Sequence, residues 1–335
     1  MNAAVMERHS SLARTGAEAR KVERHGGCFR PALASTSVNL SPTSLAMCHR
    51  VRREDAFPLG WTRLGEDEFL VRAVWPAGHP FFAPVHGGVH DPMLIAETMR
   101  QASMAVIHAG YGVPTDHHFL LSELDYLCHP EGLSVGSSED AVDLRLTAFD
   151  IVRRGGRVTE LRVRATFERH GVPVATVSLA TRLTSPSTYR RLRGAYTTPV
   201  TFIPTSAPLP PASVGRSHPE HVLLSPGPTA DTRALRVDTR HPTLFQRPND
   251  HIPGMLLFEA ARQAAHESVA PDYFLPAHGD VRFHRYAEFD RPCVLSTTVI
   301  PPLEPGAGTV VRVQGEQDGE PVFTCTFVTP QDPAA

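Results

Sequence analysis

The sequence predicts an α+β protein built twice over, and three observations carry that prediction. A segment of unusual polar content recurs: HPFFAPVHGGVHDPMLIAETMRQA at 79–102 returns as HPTLFQRPNDHIPGMLLFEAARQA at 241–264. In each half the helical pattern is followed by stretches that read as antiparallel strands, alternating apolar and polar most clearly in the first half. A proline-dense stretch separates the halves. One long helix followed by an antiparallel meander is an α+β arrangement, and 335 residues accommodate two of them.

Residues 1–46 are rich in Ser, Ala, Arg and Gly without a helical or strand period, so a disordered N-terminal extension is expected, with Met47 as an alternative start. From Cys48 the chain leads into a strand over Glu68–Trp75 that Pro76 ends. The first long helix opens at Asp91-Pro92, where a proline is tolerated because its missing N–H has no partner in the first turn, and stops near Gly110. Strands follow over 119–127, 141–152, 158–169 and 172–183. Leu161, Val163, Ala165 and Phe167 alternate with Arg162, Arg164, Thr166 and Glu168, which puts one face on a core and the other in water. Arg154-Gly155-Gly156-Arg157 and His170-Gly171 read as hairpin turns. Residues 186–212, with prolines at 186, 199, 204, 208, 210 and 211, read as an extended linker and not as a packed element. The second half repeats the order, with a strand at 234–239, a helix from Pro253-Gly254 to about Val269, and strands near 281–289, 294–300, 309–315 and 321–328. The domains are therefore expected at 47–185 and 213–335.

Laid over each other without a gap, the repeated segments share His79/His241, Met93/Met255, Glu97/Glu259, Arg100/Arg262 and Gln101/Gln263. The Glu, Arg and Gln stand at i, i+3 and i+4 and so lie along one helical stripe. A lone E-x-x-R is an ordinary solvated pair. The same set recurring at the same distance from a His-Pro is more than packing demands.

His241…Pro253-Gly254…Glu259-Ala260…Gln263 is similar to the His…Pro-Gly…Glu-Ala…Gln signature of β-hydroxyacyl-carrier-protein dehydratases, a hotdog-fold family, with a longer loop after the histidine. The duplicated form, with WPAGHPFFAPVHGG, HDPMLIAETMRQA, VGRSHPEHVLL and the second repeat, resembles the A-factor biosynthesis (AfsA-type) proteins over roughly Cys48 to Pro330. These are tandem hotdogs that make γ-butyrolactone signal precursors. The resemblance implies a double hotdog, each unit a long central helix wrapped by an antiparallel β-sheet, the two forming an intrachain pseudo-dimer. It implies composite catalytic sites, His79 with Glu259 and His241 with Glu97, in which an imidazole takes a proton and a carboxylate orients it. The helix N-termini around Met93 and Met255 would offer N–H groups to a thioester oxygen. Arg100 and Arg262 pair a phosphate or hold the glutamates, and Gln101 and Gln263 position substrate or hold the loop. Pro253-Gly254 is closer to the dehydratase pattern than Asp91-Pro92, which favours the site containing Glu259, and Glu259→Gln is expected to abolish turnover with the fold intact.

The implied reaction moves a β-ketoacyl group from an acyl-carrier-protein thioester to the hydroxyl of dihydroxyacetone phosphate, with no metal or redox cofactor. The carrier is acidic, so the arginines at 153, 154, 157, 190, 191 and 193 are candidates for its dock, and a homodimer of the pseudo-dimer is a further expectation. Two alternatives stay open: a hotdog dehydratase or thioesterase, and a non-catalytic acyl- or butyrolactone-binding regulator.

Composition narrows the field. A net charge of −2 gives no case for nucleic acid or an anionic membrane. Five cysteines without C-x-x-C spacing point to neither a disulfide framework nor a zinc ribbon, which makes the reduced cytoplasm the default. No apolar run reaches the length of a membrane span. Gly132-Leu-Ser134-Val-Gly136 matches G-x-S-x-G but precedes no helix, so the nucleophile elbow is missing. His86, His90 and Asp91 lack a second anchored ligand set for a metal, and Cys128 beside His129 is a nucleophile candidate without a counterpart in the second half.

Overall fold

The computed structural model describes residues 39–330 apart from 86–87, 137–139, 271–273, 301, 303 and 305–306. The first half runs β1 (Ser41–Pro42), β2 (Pro58–Arg63), β3 (Glu68–Trp75), α1 (Met93–Tyr111), β4 (His118–Cys128), β5 (Asp140–Arg154), β6 (Arg157–Arg169) and β7 (Val172–Thr184). After α2 (Pro186–Arg193), the second runs β8 (Leu224–Pro226), β9 (Thr232–Leu235), α3 (Gly254–Val269), β10 (His278–Phe283), β11 (Val294–Ile300), β12 (Val310–Gln317) and β13 (Glu320–Val328). This is the duplicated α+β order that the repeat predicts and the tandem hotdog that the family resemblance implies.

All these strands join one sheet in the order β1-β2-β3-β5-β6-β7-β4-β10-β13-β12-β11-β9-β8. Read outward from its middle, the order on one side mirrors the other, so the duplication in sequence is a pseudo-twofold in space. The seam is the antiparallel β4–β10 pair, where Tyr126 faces Gly279. A Cβ on Gly279 would sit 2.6 Å from the Tyr126 ring, so the residue opposite that phenol has to be small.

The alternating strands bury one face, as Leu161, Val163, Ala165 and Phe167 show. His170-Gly171 (φ 50 and 79) and Asp318-Gly319 (φ 54 and 74) turn the matching hairpins with both residues left-handed, the geometry that fits the strand twist. Helix α1 runs slightly past the expected stop at Gly110 and ends on the left-handed Gly112 (φ 67). Gly110 instead lies under the Phe69 ring, where a Cβ would come within 2.6 Å.

Two expectations are corrected. Residues 39–46 are not a featureless part of the extension, since β1 pairs with β2 (Ser41↔Trp61); residues 1–38 lie outside the described residues. The linker opens as a packed helix. Ser185 accepts the Thr188 N–H at 3.3 Å, Pro186 occupies the first turn, and Tyr189 and Arg193 turn inward. Proline density marks extended chain only where no cap precedes it. Among the described residues no helix is long and apolar enough to cross a membrane.

Candidate active site

Each long helix carries the same device. On α3, Arg262 grips Glu259 with two bonds (2.8 Å each), and Arg216 adds Nε and Nη2 at 3.0 and 2.6 Å. On α1, Arg100 grips Glu97 at 3.0 and 2.7 Å, and Arg50 adds another bond. The glutamines tie the helices to the chain entering each sheet. Gln101 Nε2 donates to Glu97 and to the Asp55 carbonyl while its Oε1 accepts the Phe57 N–H. Gln263 repeats this with Glu259, the His221 carbonyl and the Leu223 N–H. The repeat therefore extends upstream: Arg50 matches Arg216, Asp55 matches His221, and Phe57 matches Leu223. Burial alone would raise both glutamate pKa values, but the paired guanidinium groups and the amide overcome it and lower each to about 2.

The expected imidazole–carboxylate pairs do not form. Among the described residues no hydrogen bond joins His79 to Glu259 or His241 to Glu97. The glutamates are saturated by arginine, and the histidines are committed elsewhere. His79 Nδ1 accepts the N–H groups of Phe81 and Phe82 (3.1 Å each), so the ring proton sits on Nε2, which faces Asp55 Oδ1 at 3.1 Å. His241 Nδ1 likewise accepts the N–H groups of Thr243 and Leu244, and its Nε2 is buried without a hydrogen-bond partner among the described residues. Burial, with the charges of His221 and Arg216, lowers its pKa to about 4. A neutral imidazole whose lone pair already accepts backbone N–H groups cannot serve as a base.

The surroundings of the two glutamates differ. Arg216 crosses to the first half, reaching Asp91 Oδ2 at 3.3 Å and the Phe81 carbonyl at 2.9 Å. Asp91 Oδ1 accepts the Met93 N–H at 2.9 Å, so the N-terminus of α1 is already capped by a carboxylate. At the matching place α3 has Pro253, and among the described residues no side chain caps it. On the Glu97 side, Gln246 of the second half accepts the N–H groups of Val51 and Arg52, and Arg247 Nη2 lies 3.4 Å from His49 Nδ1. Just ahead of α3, Asp250 Oδ1 is 2.7 Å from His251 Nδ1. Tyr189 of α2 donates to both Asp250 oxygens at 2.8 Å, and His118 stacks on the Tyr189 ring at 3.6 Å. Burial would raise the Asp250 pKa, but the bonds from His251 and Tyr189 lower it to about 2. Asp250, Arg247 and His251 all act on His118, which sets this dyad near Arg247.

The family described as the A-factor biosynthesis hotdog domain matches residues 39–185 and again 198–330. The chain belongs to this family. It is 51% identical over 290 residues to a Streptomyces coelicolor protein named 2-oxo-3-(phosphooxy)propyl 3-oxoalkanoate synthase, covering 86% of this chain and 92% of that one. It is 47% identical over 301 residues to a Streptomyces griseus protein of the same name, covering 90% and 96%. Among solved structures, one described as an oleoyl thioesterase from Lactobacillus plantarum covers 79% of this chain and 97% of its own at a TM-score of 0.50 and 13% identity, a likeness of fold.

In this A-factor family member, the sequence brought the Glu, Arg and Gln of each helix together correctly and missed their partners. Arg50 and Arg216 align only when the overlay is extended upstream with a four-residue gap. Asp250-His251 lies within the second repeat but has no counterpart in the first, where Gly88-Val89 stands, so recurrence does not single it out. The other motifs resolve as structure. His90 binds Asp140 at 2.8 Å and Asp91 caps α1, while His86 lies outside the described residues; no metal-binding group forms among those described. The segment Pro130–Leu133 is a short 3-10 turn and leads to no elbow at Ser134. Cys128 is buried and its thiol is pushed up to about 12, far from a thiolate. Of the proposed dock, Arg153, Arg154, Arg157, Arg190 and Arg191 are exposed, whereas Arg193 is buried against Glu288 and Asp250.

Proposed function

We propose that this chain is an acyltransferase that moves a 3-oxoacyl group from an acyl-carrier-protein thioester to the hydroxyl of dihydroxyacetone phosphate, in the cytoplasm. The observation that carries this reading is 51% identity, running through both halves, to a synthase named for that product.

The chemistry is assigned to the residues as follows. Asp250 holds His251 by Nδ1–H, which leaves the lone pair on Nε2 of a 30% exposed ring. That nitrogen takes the acceptor's hydroxyl proton as its oxygen attacks the thioester carbonyl. The uncapped first turn of α3, at Gly254 and Met255, stabilises the negative charge on the carbonyl oxygen. Collapse expels the carrier thiolate, His251 returns the proton to sulfur, and the products are the phosphorylated keto ester and free carrier thiol. The exposed Arg153, Arg154, Arg157, Arg190 and Arg191 form the dock for the acidic carrier. The dehydratase reading needs a glutamate free to act, and both are locked between guanidinium groups.

The test is incubation of the purified chain with a 3-oxoacyl thioester, with and without dihydroxyacetone phosphate. Thiol release that depends on the acceptor is expected. Acceptor-independent release, or dehydration of a hydroxyacyl thioester, would replace the proposal with a thioesterase or dehydratase. Binding without turnover would make the chain a sensor.

A further inference from the structure

The two composite sites share their parts but not their charge. Around Glu259, Arg216 and Arg262 meet two carboxylates, Glu259 and Asp91, and the two arginines are nearly sealed at 5% and 3% exposure. Around Glu97, Arg50 and Arg100 meet one carboxylate and are more open, at 11% and 19%. Arg247 adds a third guanidinium there from the second half. The next carboxylate, Asp55, is held by His79 and Arg52. In the ungapped overlay, Val85 stands where Arg247 is, and Asp91 stands where Pro253 is. Both differences move charge the same way, leaving one site neutral and the other cationic.

Arg247 is steered without an acid. His108 Nδ1–H donates to the Val113 carbonyl at 2.7 Å, so its Nε2 accepts. His49 Nε2–H then donates to that nitrogen at 3.0 Å, which leaves the His49 Nδ1 lone pair facing Arg247. His49 adopts a left-handed backbone (φ 50) in this position, an uncommon conformation for a residue with a Cβ. Burial, and then the Arg247 charge, lowers its pKa to about 3, so the relay stays neutral beside the Arg247 cation. Arg247 forms no ion pair among the described residues. Its charge and that of Arg100 repel, and an anion between them would relieve the repulsion.

We propose that the Glu97 site is the working member of the pair, that Arg247 with Arg100 seats the acceptor's phosphate there, and that the Glu259 site is a closed ion-pair clamp between the halves. The identity of the acceptor rests on the function proposed above; the anion seat rests on the charge imbalance.

Isothermal titration of the full chain with inorganic phosphate, and then with dihydroxyacetone phosphate, tests this. One seat per chain is expected. Arg247→Gln should weaken it about ten- to a hundredfold, the range for a lost hydrogen bond to a charged group. Arg312→Gln, an exposed arginine on β12, should leave it unchanged. In turnover, Arg247→Gln should raise the KM for the acceptor far more than it lowers kcat, and His49→Ala should weaken phosphate less than Arg247→Gln does. Unchanged phosphate affinity in Arg247→Gln, or two equal seats per chain, would overturn the proposal. The two readings fail separately. Phosphate held through Arg247 by a chain that releases no thiol refutes acyl transfer alone, while acceptor-dependent turnover at wild-type KM in Arg247→Gln refutes the seat alone.

Discussion

Replacing Arg216 with Met tests the clamp directly. The guanidinium is 5% exposed and bridges two carboxylates, Glu259 and Asp91, each 1% exposed and contributed by different halves. Removing one partner of a buried ion pair costs about 3–5 kcal/mol because a charge is left stranded. Glu259 keeps Arg262 and Gln263, but Asp91 keeps only the Met93 N–H, so the lower part of that range, about 3–4 kcal/mol, is expected. At about 2 °C per kcal/mol for a body of this size, the melting temperature should fall by about 6–8 °C. Urea unfolding and a thermal melt measure it. Adding Asp91→Asn removes the stranded charge and should recover about 1–2 kcal/mol, a coupling that only residues in contact show. The analogous Arg50→Met should cost less, because Arg50 is more open and Glu97 keeps Arg100. A loss below about 1 kcal/mol for Arg216→Met, or no recovery in the double variant, would refute the clamp.

His251→Asn removes the proposed base and should lower kcat about a hundredfold or more with the melt nearly unchanged, measured by acceptor-dependent thiol release. Glu259→Gln is now expected to lower stability more than turnover, against the sequence-based expectation, because it leaves two buried guanidinium groups undercompensated; melts and rates on one preparation decide it. Gly279→Val drives a side chain into the Tyr126 ring at the seam and should cost about 1–3 kcal/mol in urea unfolding, while the same change at the exposed turn Gly155 reports only backbone strain. Folded-state pKa values of about 3, 4 and 4 for His49, His241 and His266 lie below the unfolded value. The unfolded chain therefore binds protons first, and stability falls as pH drops from about 6.5 toward 4, by up to ~1.4 kcal/mol per pH unit for each imidazole. Glu97, Glu259, Asp140 and Asp250, lowered to about 2, add stability that is present above about pH 4.5 and lost below it. A melting temperature flat between pH 7.5 and 4.5 would contradict the histidine assignments, and one flat from 4.5 to 2.5 those of the carboxylates.

Strand positions were legible in the sequence to within a residue or two across most of the first half, because a face that alternates in burial alternates in composition. The end of β10 was overrun, since 284–289 keeps the strand's character after pairing stops at Phe283. Helix α2 was missed because its inward residues, Tyr189 and Arg193, bury through hydrogen bonds and ion pairs instead of an apolar stripe.

The duplication, the helix-borne Glu-Arg-Gln sets and the α+β order of each half follow from local pattern and its recurrence, which a chain carries in its order of residues, and the family resemblance named the double hotdog. The state of each site residue does not, because charge and proton position depend on partners brought from far along the chain. Glu97 and Glu259 are each held by two guanidinium groups, the second brought by Arg50 and Arg216, and the Nδ1 lone pairs of His79 and His241 are taken by backbone N–H groups of their own loops. Only the folded arrangement of the two halves set Arg247 beside His49 and Asp91 against Arg216, so two similar segments came to hold different electrostatic balances.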